Sequence, residues 1–141
     1  MDPAREYSPE LERLIAELAA AVPDVLHALV VSADGVPLAG ANLLPQAEQA
    51  DQLSAITCGL ISLARAAARI SDCGDVTQAL VTMERGTLVI MAIGDAASVA
   101  VLTSAADLDL IACEMTLLVE QAGRLVAKSA RDVGREPPAA I

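Results

Sequence analysis

The sequence predicts a three-layer α/β/α sandwich around a five-stranded antiparallel sheet, with elements in the order α-β-β-α-β-β-β-α. Three observations carry that expectation. Apolar residues recur at helical spacing in three segments, near residues 8–22, 45–71 and 107–126. Five short β-prone runs lie between them, two and then three, joined within each group by turns of hairpin length. The runs 25–31 and 87–93 are apolar almost throughout, and such strands are covered on both faces. Helices must therefore lie on both sides of the sheet.

The first helix opens at Ser8-Pro9-Glu10. Serine caps free amides, proline fits the first helical position, and glutamate suits the positive end of the dipole. Leu11, Leu14, Ile15, Leu18 and Val22 give its apolar face, and Pro23-Asp24 ends it. Residues 25–31 form the first strand, Ala33-Asp34-Gly35 the turn, and 36–41 the return strand. Pro37 places that return strand at a sheet edge, because proline donates nothing to a ladder.

Pro45 opens a long second helix that runs to Ser71. At about 100° per residue, Leu53, Ile56, Thr57, Leu60, Ile61, Leu63, Ala64, Ala67, Ala68 and Ile70 cover half of its circumference. Ser54, Cys58, Ser62, Arg65 and Arg69 fall opposite, with Ala55, Gly59 and Ala66 beside them. So broad an apolar face exceeds what one sheet contact needs and predicts a second packing partner. After the loop 71–75 come strands over 76–84, 87–93 and 98–103, joined by turns at Arg85-Gly86 and 94–97. Asp107 caps the third helix, with Leu108, Ile111, Ala112, Met115, Leu118, Val119, Ala122, Leu125 and Val126 inward. Lys128 and Arg131 suit its negative end. The organisation is a disordered N-terminus over 1–7, one domain over 8–131, and a disordered tail over 132–141.

Composition narrows the function. A chain of 141 residues is one domain, and 55% hydrophobic residues exclude general disorder. With one Tyr and no Trp or Phe, the core is aliphatic and no stacking platform for bases exists. The 19 acidic residues against 9 basic ones give a net charge of -10, which repels nucleic acid and anionic lipid surfaces. A basic protein patch is compatible with the same field. The longest apolar runs are read as strands, well short of the ~20 residues of a membrane span, so no membrane insertion is expected. The first residues lack the basic and apolar regions of a secretory signal, which leads to the expectation of a cytoplasmic protein.

Catalytic groups are scarce. His27 is the only histidine and falls inside the first strand. Cys58, Cys73 and Cys113 are odd in number, lack metal-ligand spacing, and are read as reduced, buried or half-buried thiols. A thiol enzyme using Cys58 or Cys73 would require an activating partner, and rapid alkylation at neutral pH would reveal one. Asp107 and Asp109 read as cap and dipole complement, not as a metal site. Neither a P-loop nor a dinucleotide fingerprint occurs. No cofactor, no metal and no enzyme activity are expected. A ligand-sensing domain is disfavoured by the shortage of aromatic and convergent polar groups.

Strings of residues spread along the chain add a resemblance. They are Val25-Leu26-His27-Ala28-Leu29-Val30-Val31 with Ser32-Ala33-Asp34-Gly35, Cys58-Gly59-Leu60-Ile61-Ser62-Leu63-Ala64-Arg65, Gln78-Ala79-Leu80-Val81-Thr82-Met83-Glu84, and Glu114-Met115-Thr116-Leu117-Leu118-Val119. In this order and spacing the chain resembles the Roadblock/LC7 family over residues 11–126. It is most similar to the bacterial branch found with a sensor-kinase-like protein and a Ras-like GTPase in actinobacterial operons, and to the bacterial gliding-motility GTPase regulator.

The resemblance implies a homodimer in which the second helices pack together and the third strands pair edge to edge. It assigns Ile56, Thr57, Leu60, Ile61, Leu63, Ala64, Ala68, Thr77, Ala79, Val81 and Met83 to that interface. It implies a small Ras-like GTPase as partner, contacted by Arg65, Arg69 and Ser62, with a sensor-kinase-like protein as a further partner. The implied role is to bind the GTPase and modulate its GTP cycle by positioning its switch loops, without an inserted catalytic arginine. The alternative is a dimeric adaptor for a sensor-kinase or motor-type complex that leaves GTP turnover unchanged.

Overall fold

The computed structural model describes residues 8–41 and 47–134. Its elements are α1 (Ser8–Ala21), β1 (Val25–Ser32), β2 (Pro37–Ala41), α2 (Ala47–Ser71), β3 (Gln78–Met83), β4 (Gly86–Ile93), β5 (Ala97–Thr103) and α3 (Asp109–Gly134). The five strands form one antiparallel sheet in the order β2-β1-β5-β4-β3. The expected element order and sheet are those observed. Pro45, the expected opening of the second helix, lies outside the described residues, as do the segments 1–7 and 135–141. The helix α3 continues to Gly134, three residues past the expected domain boundary at Arg131. The side chains of Val126, Lys128 and Arg131 also lie outside the described residues.

Two aliphatic cores, one on each face of the sheet, hold the layers together. On one face α1 and α3 bury Leu11, Ile15, Leu18, Ile111, Met115 and Leu118 against Val30, Val89, Val99 and Val101. On the other face α2 alone covers Leu29, Val31, Leu88, Ile90 and Ala100, using Ile61 with Leu53 and Leu60. Each such side chain contributes about 1.5–3 kcal/mol by leaving water. The central strands β1, β4 and β5 are buried almost throughout, as their uninterrupted apolar runs require. A register shift between Val25 and His27 breaks the run at its start and leaves Leu26 48% exposed.

Side-chain hydrogen bonds tie the loops to this frame. Asp24 sits at φ 65°, and its carbonyl accepts from the Ser104 amide (3.1 Å) and the Thr103 hydroxyl (2.9 Å). The same hydroxyl oxygen accepts from the Ala105 amide at 3.0 Å. Thr103 is fully buried; Thr103→Val leaves the Asp24 carbonyl its bond from Ser104 but strands the Ala105 amide, and costs about 1–3 kcal/mol. A lowered urea midpoint with an unchanged slope is the expected reading. The Asp107 carboxylate accepts from the Asp109 amide at 2.9 Å at the mouth of α3, as expected of a cap.

The β3–β4 turn is one residue earlier than expected. It consists of Glu84 and Arg85, and Gly86 already pairs with Met83 in the ladder. A Cβ at Gly86 would stand 3.1 Å from the Thr103 carbonyl oxygen. This glycine therefore serves the close approach of β4 to β5 and not the turn.

Candidate interaction surface

The sequence of α2 from Gln52 to Ala64 contains no charged residue, so either side of that stretch accepts a neighbour. The structure decides which does. Ser54 and Thr57 are fully buried and Ile61 is 4% exposed beneath the sheet, while Cys58, Ala64, Arg65 and Ala68 are half-buried or exposed around them. Ile56, Leu63 and Ile70 lie 52%, 71% and 88% exposed. They are spaced seven residues apart, which keeps them on one stripe of the helix. Exposed Gly59 and Ala67 lie between them, small enough for another backbone to come close.

The expected wheel is thus rotated. Ser54 and Cys58, expected on the outer side, face the sheet. The Ser54 hydroxyl donates to the Ala50 carbonyl at 2.8 Å, and the Cys58 thiol donates to Ala33 O at 3.3 Å. The β1–β2 turn accommodates this because Gly35, at φ 84°, lies against Cys58: a Cβ there would be 3.3 Å from the Cys58 Cβ. Thr57 and Ile61, expected at a subunit interface, are spent on the protomer's own core. Arg65, expected to project outward, is half-buried and donates to the Gly94 carbonyl at 3.0 Å. Arg69 and Ser62 are exposed on the flank of the apolar stripe.

The third strand continues this surface. All six residues of β3 are uncharged. Ala79 and Val81 are half-buried on the α2 side of the sheet, Met83 is 45% exposed and Leu80 is 49% exposed. Thr77 precedes the strand and is exposed, with its carbonyl accepting from the Ala92 amide at 3.3 Å. The sheet therefore has two unlike edges. The β2 edge is five residues long, begins with Pro37 and packs against α1. The β3 edge carries neither proline nor charge, and natural sheets do not leave such an edge bare. Leu80 and Ile70 were not among the expected interface residues, although the heptad spacing from Ile56 to Ile70 is legible in the sequence.

A groove of about 590 Å³ opens where the end of α2, the approach to β3, the end of β4 with the β4–β5 turn, and Thr116 and Val119 of α3 meet. Arg65, Arg69, Asp75, Gln78, Met91 and Asp95 are among its lining residues. Among the described residues, no three His, Cys, Asp or Glu side chains gather as a metal-binding group. His27 is buried in β1, in register with Leu102 of β5. Cys73 and Cys113 are exposed, contrary to the expectation of buried or half-buried thiols. Among the described helices, α2 over Glu48–Ser71 is long and apolar enough to cross a membrane, which corrects the expectation that no segment meets that requirement. Its inner side is occupied by Thr57 and Ile61 against the sheet.

Comparison with known proteins gives this surface a family. The Roadblock/LC7 domain model matches residues 11–103. The crystal structure of a Roadblock/LC7 domain from Streptomyces avermitilis is similar at 30% identity, with a TM-score of 0.76, over 82% of this chain and 97% of that one. MglB of Myxococcus xanthus shares the fold at 12% identity, with a TM-score of 0.80, over 88% of this chain and 92% of that one. The gliding protein MglB from Thermus thermophilus shares it at 19% identity, with a TM-score of 0.65, over 94% of each. Comparison with curated proteins returns no match. With two thirds of its length matched by the family model and a solved member similar over nearly its entire length, the chain belongs to the Roadblock/LC7 domain family.

Proposed function

We propose that this chain is a non-catalytic homodimeric regulator and scaffold that binds a small Ras-like GTPase and modulates its GTP cycle in a bacterial signalling system. The observation that carries the dimer is the continuous uncharged surface formed by the Ile56-Leu63-Ile70 stripe and the bare β3 edge. Two copies of a chain with a net charge of -10 repel one another, so self-association is cheapest where neither copy carries charge. Membership in the Roadblock/LC7 family supports the regulatory role. The dimer presents two copies of the Ser62 and Arg69 flank, on which a GTPase docks and has its switch loops held in one arrangement. Arg65, held by the Gly94 carbonyl, shapes that flank and does not reach into a nucleotide site.

The test mixes the purified chain with its cognate small GTPase, loaded with GDP or a GTP analogue. Expected are a complex that prefers one nucleotide state and a changed rate of GTP turnover. A complex with unchanged turnover leaves an adaptor and removes the modulation. No complex with either nucleotide state removes the GTPase reading altogether.

A further inference from the structure

The fold gathers charges at one place that the sequence keeps apart. Arg65 and Arg69 lie one turn apart on α2, Asp75 lies in the approach to β3, and Asp95 sits in the β4–β5 turn; all four line the groove at the end of α2. Elsewhere on the surface Arg13 holds Glu10 and Glu17 at 2.9 Å each, and Arg85 holds Glu84 at 3.6 Å. In the groove the opposite charges stay apart: among the described residues, none of the four forms an ion pair. Arg65 is held in place by the Gly94 carbonyl, and that bond leaves most of its guanidinium donors unused. The remaining walls include the apolar side chains of Ala68, Val76, Met91 and Val119.

We propose that this groove binds a small zwitterion, an α-amino acid or a dipeptide, whose carboxylate meets Arg65 and Arg69 and whose ammonium meets Asp75 and Asp95. The charges decide the class by elimination. A simple anion placed there meets two carboxylates, and a simple cation meets two guanidiniums. The net charge of -10 disfavours a free anion further. An uncharged ligand strips water from the charged groups and returns no partner to them. A molecule that carries both charges satisfies both pairs. The groove's volume of about 590 Å³ falls within the roughly 300–1,000 Å³ of ordinary ligand sites. Its lining contains no aromatic ring, which disfavours a flat heterocycle. Neither a second copy nor a GTPase is needed for this binding, so its test stands or falls apart from theirs. Arg69 also belongs to the flank proposed for the GTPase, so an occupied groove changes what that flank presents.

The direct test is the melting temperature of the purified full chain with each standard L-amino acid, and with Ala-Ala. At about 10 mM, a ligand with a dissociation constant of about 1 mM raises it by about 3–8 °C. Calorimetric titration then compares the best binder with its N-acetyl and C-amide analogues, each of which removes one charge. Both analogues are expected to bind about 10-fold or more weakly. A larger rise with Ala-Ala than with any free amino acid identifies a dipeptide, and the reverse identifies an amino acid. No rise with any of them overturns the site. Analogues that bind as well as the parent overturn recognition of a zwitterion.

Arg69→Ala and Asp75→Ala assign the two ends of the ligand. Both side chains are exposed, so the circular dichroism spectrum should be unchanged. Each variant is expected to weaken the zwitterion about 10-fold. In Arg69→Ala the penalty for amidating the carboxylate should shrink, and in Asp75→Ala the penalty for acetylating the amine. Penalties that persist undiminished in both variants overturn the proposed contacts. Arg85→Ala, outside the groove's lining, is the control and should leave the affinity unchanged. An equal loss there would mean that the ligand senses only the overall field of the chain, which also overturns the site. The analogue series on the unaltered chain decides the question even if a variant misfolds.

Discussion

Leu63→Glu is expected to convert the proposed dimer to folded monomers. Leu63 is 71% exposed and central in the stripe from Ile56 to Ile70, so the new carboxylate touches nothing within its own protomer's core. In the dimer it is desolvated twice, once per copy, and faces its like-charged counterpart. Truncating an interface anchor costs about 2 kcal/mol or more, and burying a charge in its place adds to that. The dimer dissociation constant should rise roughly 100- to 1,000-fold. Sedimentation at micromolar concentration would show one protomer's mass, with the circular dichroism spectrum and urea midpoint of the fold retained. A variant that remains dimeric would show that α2 packs on its neighbour through some other side. Thr57→Ala is the control: Thr57 is fully buried under its own sheet, so it should alter stability far more than association.

Ile15→Ala is expected to have the largest effect on folding. Ile15 is fully buried in the core where α1 meets the sheet and α3. Removing its branched side chain costs about 2–5 kcal/mol, the lost transfer energy together with the cavity left behind. Small domains are stable by only about 5–15 kcal/mol in total, so a large part of the margin is at stake. The urea midpoint should fall accordingly with the slope preserved. A loss below about 1 kcal/mol would mean that α1 is loosely attached and that the wider core does not depend on it.

The fold was legible because the physics of its elements is local. Three helices announced themselves by spacing, and the uninterrupted apolar runs of β1 and β4 required cover on both faces. Pro37 marked an edge strand correctly. The orientation of α2 was not legible. Its small residues, Ala, Ser, Cys and Gly, differ too little in transfer energy to say which side faces inward. Ser54 turns inward with its hydroxyl satisfied inside the helix by the Ala50 carbonyl, and Cys58 lies against the β1–β2 turn with its thiol on the Ala33 carbonyl, a contact that lies in tertiary structure and not in hydropathy. The burial of Thr57 was illegible for the same want of contrast with its neighbours. The general preference of glycine for turns points Gly86 to the wrong role, since its lack of a side chain serves the contact with Thr103. The heptad from Ile56 through Leu63 to Ile70 was readable, but a stripe of large residues does not say whether it meets the chain's own sheet or another molecule.

The unlike margins of the sheet set a limit on stoichiometry. In the proposed dimer, with the β3 edges covered, the sheet edges left facing outward are the two β2 strands, each five residues long and headed by Pro37, which has no amide hydrogen to give. Recruitment of a third subunit by strand addition is thereby disfavoured at both ends. Any assembly larger than that proposed dimer would then be built from helix faces and not from sheet edges.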